Sequence, residues 1–83
     1  MHHASPDFWA CYRALPASIR VIADKSFALL KNDQRHPSLH FKRAGRFWSV
    51  RVGRHHRAIG VEAPDGMLWL WIGSHSDYDD IVG

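Results

Sequence analysis

The chain has 83 residues, of which 46% are hydrophobic and 23% are charged, and its formal net charge at pH 7 is +3. This composition excludes a disordered chain, and the single cysteine, Cys11, excludes an internal disulfide and indicates a reducing, cytoplasmic compartment. The length indicates one domain over residues 1–83, and no apolar run approaches the roughly 20 residues that a membrane-spanning helix needs.

Charge is distributed unevenly along the chain. Every Lys, Arg, Asp or Glu between residues 35 and 57 is basic, whereas between residues 58 and 83 all of them are acidic. The basic segment also contains the aromatic residues Phe41, Phe47 and Trp48. Such a segment is typical of a surface that binds a polyanion such as nucleic acid. A solvated basic face, or a docking face for an acidic protein, has the same composition.

Two helices are predicted in the first part of the chain. The first covers residues 6–15, because Ser5 is a good N-cap and Pro6 suits the first helical position. The second covers residues 16–31, where apolar residues recur at helical spacing: Ile19, Ile22, Ala23, Phe27 and Leu30. Since only the Leu15–Pro16 corner joins them, we expect an antiparallel helical hairpin.

An antiparallel β-meander is predicted to follow. Its strands fall within residues 45–53, 54–62 and 67–75, and residues 63–66, Ala-Pro-Asp-Gly, form a turn. Residues 39–43 form a further strand or extended segment. The first meander strand alternates so that one face is apolar, and the helices need such a face to pack against. The predicted fold is therefore α+β, with both helices on one face of a small antiparallel sheet of three or four strands.

A short helix is predicted at the C-terminal end. Ser76 precedes Asp79 by three residues, which is the spacing of a helix N-cap and its partner in the first turn. This helix follows directly after the last strand of the meander.

A resemblance to a known family is carried by the two helices and by two stretches of sequence, GRFWSVRVGRHHRAIGVE and WIGSHSDYDDIV. The family that the chain resembles is the RelE/ParE superfamily of bacterial toxins. The matching features are an Arg in the first meander strand, an Arg that opens the next strand, and an Ile-Gly-x-His turn after the last. The resemblance extends from Phe8 to Val82 and is nearest to RelE- and YafQ-like members through residues 73–77. Members usually open with a β-strand, which only residues 1–4 can supply here.

The resemblance implies the toxin of a type II toxin–antitoxin system. Its activity would be ribosome-dependent cleavage of mRNA through the 2′-hydroxyl, which inhibits translation and needs no metal or cofactor. Its partners would be a cognate antitoxin and mRNA on the ribosome. Other members of the superfamily poison DNA gyrase and cleave nothing, so a gyrase-binding toxin is the alternative. A decayed toxin that only binds its antitoxin is a third possibility.

Such cleavage needs a base for the 2′-hydroxyl and cations for the phosphate, and this chemistry selects the candidate residues. A guanidinium binds two phosphate oxygens at once, and a histidine can exchange protons near neutral pH. The candidate catalytic residues are Arg57, His75, Arg51 and Tyr78. The candidate RNA-binding residues are Lys42, Arg43, Arg46, Arg54 and His56.

Structural roles compete with these assignments. Arg51 can pair with Glu62 or Asp77 across the sheet, and His75 can cap the end of a strand. Tyr78 can simply hold the last helix against the sheet. A zinc site built from the histidines at positions 40, 55, 56 and 75 is disfavoured, because these residues lack the regular spacing of zinc ligands.

Overall fold

Two helices pack against one face of a five-stranded β-sheet in the computed structural model, which describes residues 1–82. In chain order the elements are β1 (His2–Ala4), α1 (Pro6–Arg13), α2 (Ala17–Asn32), a 3₁₀ turn (Pro37–Leu39), β2 (Lys42–Ala44), β3 (Phe47–Val52), β4 (His56–Ala63), β5 (Gly66–Ser74) and α3 (His75–Val82). The predicted α+β class, the helical hairpin and the short C-terminal helix are confirmed.

The strand order in the sheet is β1-β5-β4-β3-β2. Neighbouring strands from β2 to β5 are antiparallel, as the meander prediction requires. The sheet differs from the prediction in having five strands, one of which is parallel to its neighbour. Residues 2–4 form β1 and pair in parallel with residues 67–69 of β5. The strand that superfamily members usually place before the helices is therefore present.

The local signals at the start of α1 act as predicted. The backbone N–H of Phe8 donates to Ser5 Oγ at 3.1 Å, which satisfies one of the donors that the first helical turn leaves free. Pro16 lies immediately before α2, which begins at Ala17. No helix among residues 1–82 has the length and apolar composition required to cross a membrane.

The main core lies between the helices and one face of the sheet. Its largest side chain, Trp69 of β5, is 2% exposed and meets Phe27 of α2 edge-on, with ring centroids 5.5 Å apart. From β3 and β4, Val50 and Ala58 pair directly opposite each other and point into this core. Because side chains alternate along a strand, Arg57 and its neighbours two residues away point to the other face.

The C-terminal helix α3 contacts that other face. Its one buried residue, Tyr78, lies beneath the guanidinium of Arg57. The helix begins two residues earlier than predicted, at His75, because Ser74 and not Ser76 supplies the capping hydroxyl. The backbone N–H of Asp77 donates to Ser74 Oγ at 3.2 Å.

The close packing around Gly60 of β4 can be tested by substitution. A Cβ at this position would lie 2.8 Å from Cε3 of Trp69 and 3.0 Å from the carbonyl oxygen of Leu68. We therefore expect Gly60→Ala to lower the free energy of unfolding by about 1–3 kcal/mol through overpacking, measured by urea denaturation. In a Trp69→Phe background the same change should cost about 1 kcal/mol less. Equal costs in the two backgrounds would contradict this packing.

Candidate functional site

Arg57 is a charged residue buried within the sheet. Its side chain is on β4, where the residue pairs with Arg51 of β3 on one side and Gly73 of β5 on the other. Arg57 is only 7% exposed, and its buried Nη1 has no hydrogen-bond partner among the described residues. No ion pair within residues 1–82 includes it. A guanidinium in this position is expensive to bury, which is typical of a group that is kept for a ligand.

An aromatic ring takes the place of a counterion for Arg57. The guanidinium carbon lies 5.1 Å from the centroid of the Tyr78 ring, a geometry that gives a cation–π attraction. Tyr78 is itself only 5% exposed. Its ring therefore supports Arg57 from below and is not displayed for stacking on a base.

Arg51 is held close to Arg57 by backbone and side-chain contacts. Its Nε donates to the carbonyl oxygen of Gly53 at 2.9 Å, and its Nη1 lies 3.4 Å from Nε2 of His40. Neither of the acidic partners considered from the sequence pairs with it. Glu62 instead accepts a hydrogen bond from Trp48 and pairs with Arg43 at 3.6 Å.

His75 enters the site from the first residue of α3. Its backbone N–H donates to the carbonyl oxygen of His55 at 2.7 Å, which fixes the start of the helix against the β3–β4 turn. Its Nδ1 lies 3.2 Å from Oδ2 of Asp79, one helical turn further on. In the neutral ring this carboxylate favours the proton on Nδ1 and leaves Nε2 as a free acceptor. His75 is thus equipped to act as a base.

These residues meet in a cleft of about 230 Å³, here called the cationic cleft. The side chains that line it are His40, Arg51, Arg54, His56, Arg57 and His75. Three guanidinium groups and three imidazoles therefore surround one space. Such a set of side chains can bind a phosphate, because each guanidinium can donate two hydrogen bonds to its oxygens.

Five of the nine residues selected from the sequence line this cleft, and a sixth, Tyr78, supports it. The other three, Lys42, Arg43 and Arg46, belong to the β2–β3 hairpin and lie outside the lining. The guanidinium of Arg46 lies over the ring of Phe47, at 5.4 Å from its centroid. Lys42 and Arg43 are adjacent on one strand and therefore face opposite sides of the sheet.

The sequence did not single out His40 as a ligand-binding residue. It follows the 3₁₀ turn in a left-handed backbone conformation with φ of 44°, and this bend directs the chain past Arg51. Its place at the end of a Pro37–Leu39 turn inside the basic segment is the one signal that could have identified it. Among residues 1–82, no three His, Cys, Asp or Glu side chains are grouped as metal ligands would be.

Comparison with known proteins gives one family and several similar folds. The model of a family described as a ParE-like toxin domain matches residues 17–80. No curated protein matches the chain significantly.

Solved structures share the fold at low sequence identity. The RelB–RelE antitoxin–toxin complex from Methanococcus jannaschii contains a chain that matches with a TM-score of 0.73 and 14% identity, over 95% of this chain and 96% of that one. A mutant of the E. coli toxin RelE in the free state matches with a TM-score of 0.68 and 8% identity, over 95% and 86%. A copper-bound mutant toxin from Helicobacter pylori matches with a TM-score of 0.62 and 15% identity, over 92% and 94%.

The environment of His56 generates a test of the cleft's electrostatics. Burial lowers the pKa of His56 below its ordinary value of 6.5, and the neighbouring His55 lowers this pKa further. The unfolded chain therefore binds this proton more tightly than the native state does. We expect the free energy of unfolding to fall as the pH drops below about 6.5 and to be unaffected by His56 above it.

Urea denaturation between pH 5 and pH 7.5 measures this effect. His56→Gln should make the decline shallower without abolishing it, because the pKa of His2 is also lowered, chiefly by burial. An equally steep decline in the variant would show that His56 is not desolvated in the native state.

Proposed function

The chain belongs to the ParE-like toxin domain family, and we propose that it is the toxin of a toxin–antitoxin pair that cleaves mRNA on the ribosome. The observation that carries this proposal is the cationic cleft. It combines the buried guanidinium of Arg57, whose Nη1 has no hydrogen-bond partner within residues 1–82, with a histidine whose free nitrogen can act as a base. RNA supplies both the phosphate and the 2′-hydroxyl that such a pair can use.

In the proposed reaction, Arg57 and Arg51 bind the non-bridging oxygens of the phosphate at the cleavage point. Nε2 of His75 removes the proton from the adjacent 2′-hydroxyl, whose oxygen attacks phosphorus. The bond from phosphorus to the 5′ oxygen breaks, and that oxygen takes a proton from water. The products are a 2′,3′-cyclic phosphate and a 5′-hydroxyl, so atoms and charge balance.

The guanidinium groups perform the electrostatic part of the catalysis. Negative charge develops on the phosphate oxygens in the transition state, and fixed cations in a site that excludes water stabilise it strongly. Arg57 is already desolvated and held against Tyr78 before RNA arrives. Tyr78 is therefore a positioning residue, and Asp79 has the same role for His75. The roles of Arg54 and His56 are to bind the flanking RNA backbone.

A protein antitoxin is the partner that we propose for this toxin. The similarity to a toxin seen in complex with its antitoxin supports it, as does a segment from residue 35 to residue 57 without any acidic residue. An acidic segment of the antitoxin would cover the sheet face that displays Lys42, Arg51 and Arg57. Arg43, which lies on the other face of β2, would contact it only at the sheet edge.

A toxin that binds DNA gyrase without cleaving RNA is the second candidate. Gyrase-directed members of the superfamily also have basic strands, so the charge of β3 and β4 fits both activities. Substitution of His75 distinguishes the two candidates, because only the proposed RNA cleavage uses this residue.

Substitutions in the cleft test the cleavage proposal. His75→Ala and Arg57→Met should each reduce cleavage of translated mRNA by ~10²–10⁴-fold, because each removes one group that acts in the transition state. Arg13→Ala, on the exposed end of α1, is the matched control and should cleave at the wild-type rate. Cleavage is measured by mapping 5′ ends of messages in a reconstituted translation system.

Stability measurements separate a functional Arg57 from a structural one. Methionine keeps the packing on Tyr78 and removes a buried charge that no acid compensates, so Arg57→Met should be as stable as the wild type or more stable. A large loss of stability in this variant would assign Arg57 to the fold. If the wild type cleaves no message but inhibits gyrase supercoiling, the second candidate replaces the first.

Salt dependence tests the antitoxin proposal. The product of the neighbouring reading frame should co-purify with this chain, and its association rate should fall more than about tenfold between 50 and 500 mM NaCl, because opposite charges steer the encounter. Surface plasmon resonance measures the rate. A rate that does not depend on salt would contradict an electrostatic contact with this face.

A further inference from the structure

A second cleft lies directly beside the cationic cleft, between α2 and the end of β3. Its volume is about 460 Å³, and Arg51 lines both clefts. The second cleft has an apolar floor formed by Ile22, Leu29 and Leu39. No acidic side chain lines it. An apolar floor beside a cationic side chain suits an apolar group that is attached to an anion.

The rim of the second cleft is polar and positively charged. Lys25 and Ser26 of α2 provide an ammonium and a hydroxyl there, and Arg51 provides a guanidinium. Lys25 is exposed, and no ion pair within residues 1–82 uses it. A pocket with an apolar floor and a few convergent polar groups is the usual form of a site for a small aromatic ligand.

Gly53 keeps the second cleft open where it approaches Arg51. Its φ is +64°, and a Cβ there would lie 3.2 Å from Cγ2 of Ile22. A side chain at this position would therefore crowd the floor of the second cleft where it approaches Arg51. Ile22 itself is 37% exposed, so part of the apolar floor is open to solvent.

We propose that the second cleft binds one unstacked base of the RNA strand whose phosphate occupies the cationic cleft. This inference rests on the proposed function, because it takes the polyanion to be RNA. Arg51 holds the connecting phosphate, the apolar floor contacts the face of the base, and Ser26 and Lys25 contact its edge. Single-stranded RNA is generally recognised by such contacts to bases that are splayed out of the stack. The second cleft then determines which nucleotide is accepted beside the cleaved bond.

Binding of a fluorescently labelled RNA hexamer tests the inference, with fluorescence polarisation as the readout. A set of hexamers in which each base in turn is replaced by an abasic ribose keeps every phosphate and removes one base at a time. For the wild type, one of these replacements should weaken binding about tenfold, because base contacts of this kind contribute on the order of 1–3 kcal/mol. The other replacements should have smaller effects.

Two variants should remove this sensitivity. Ser26→Phe fills the second cleft, and Lys25→Glu reverses the charge on its rim. Their matched controls on the same helix are Ser18→Phe and Lys31→Glu, which are exposed and do not line the second cleft. The controls should keep the abasic effect, and both cleft variants should bind the intact and the abasic hexamer with equal affinity.

The outcomes distinguish this inference from the proposed function. Cleavage of mRNA without any abasic effect would overturn the base site and leave the nuclease. An abasic effect without cleavage would leave the base site and overturn the nuclease. If the cleft variants bind both hexamers as the wild type does but bind the antitoxin more weakly, the second cleft belongs to the protein partner and the inference is wrong. Absence of all RNA binding would also overturn it.

Discussion

The arrangement of the site depends on one constraint, which is the burial of a permanently charged side chain with no acidic partner among residues 1–82. Arg57 cannot lose its proton at accessible pH, so the fold must compensate its charge in another way. The ring of Tyr78 does so in part, while the buried Nη1 remains without a partner among the described residues. In the proposed reaction, the phosphate of the RNA offsets the free energy that this burial costs. The site is therefore organised before its ligand arrives.

The junction between β5 and α3 connects this constraint to the rest of the site. Ser74 ends the strand and caps the helix, so His75 is placed at the helix start without any intervening loop. Asp79 then orients the imidazole from one turn away, and Tyr78 between them reaches under Arg57. A helix of eight residues thus positions both the base and the support of the guanidinium. Separating these two roles by mutation is possible because Tyr78 is buried and His75 is exposed.

The sequence allowed the class of fold to be predicted, and five of the residues that it selected line one cleft. The predicted meander placed Arg51 and Arg57 on adjacent strands. They are direct neighbours because of the register between β3 and β4, which could not be read from the sequence pattern. His40 was missed because a left-handed turn brings it to the cleft. Strand β1 could not be predicted with the other strands, because a parallel edge strand of three residues is too short to show an alternation of apolar and polar residues. Arg46 has the same charge as Arg54 and belongs to the same basic segment, yet it lies outside the cleft. The charge of a residue does not show where its side chain points.

The most direct test is to observe the guanidinium of Arg57 while RNA binds. Side-chain ¹⁵N NMR of the arginines, recorded during titration with a single-stranded RNA in which every 2′-hydroxyl is methylated, follows each group without cleavage. We expect the resonances of Arg57 and Arg51 to shift together at the lowest RNA concentrations, while the resonance of Arg13, on the far end of α1, does not change. The proposed site would be contradicted if Arg57 kept its free-state resonance at saturation while the resonances of exposed arginines of the β2–β3 hairpin shifted instead.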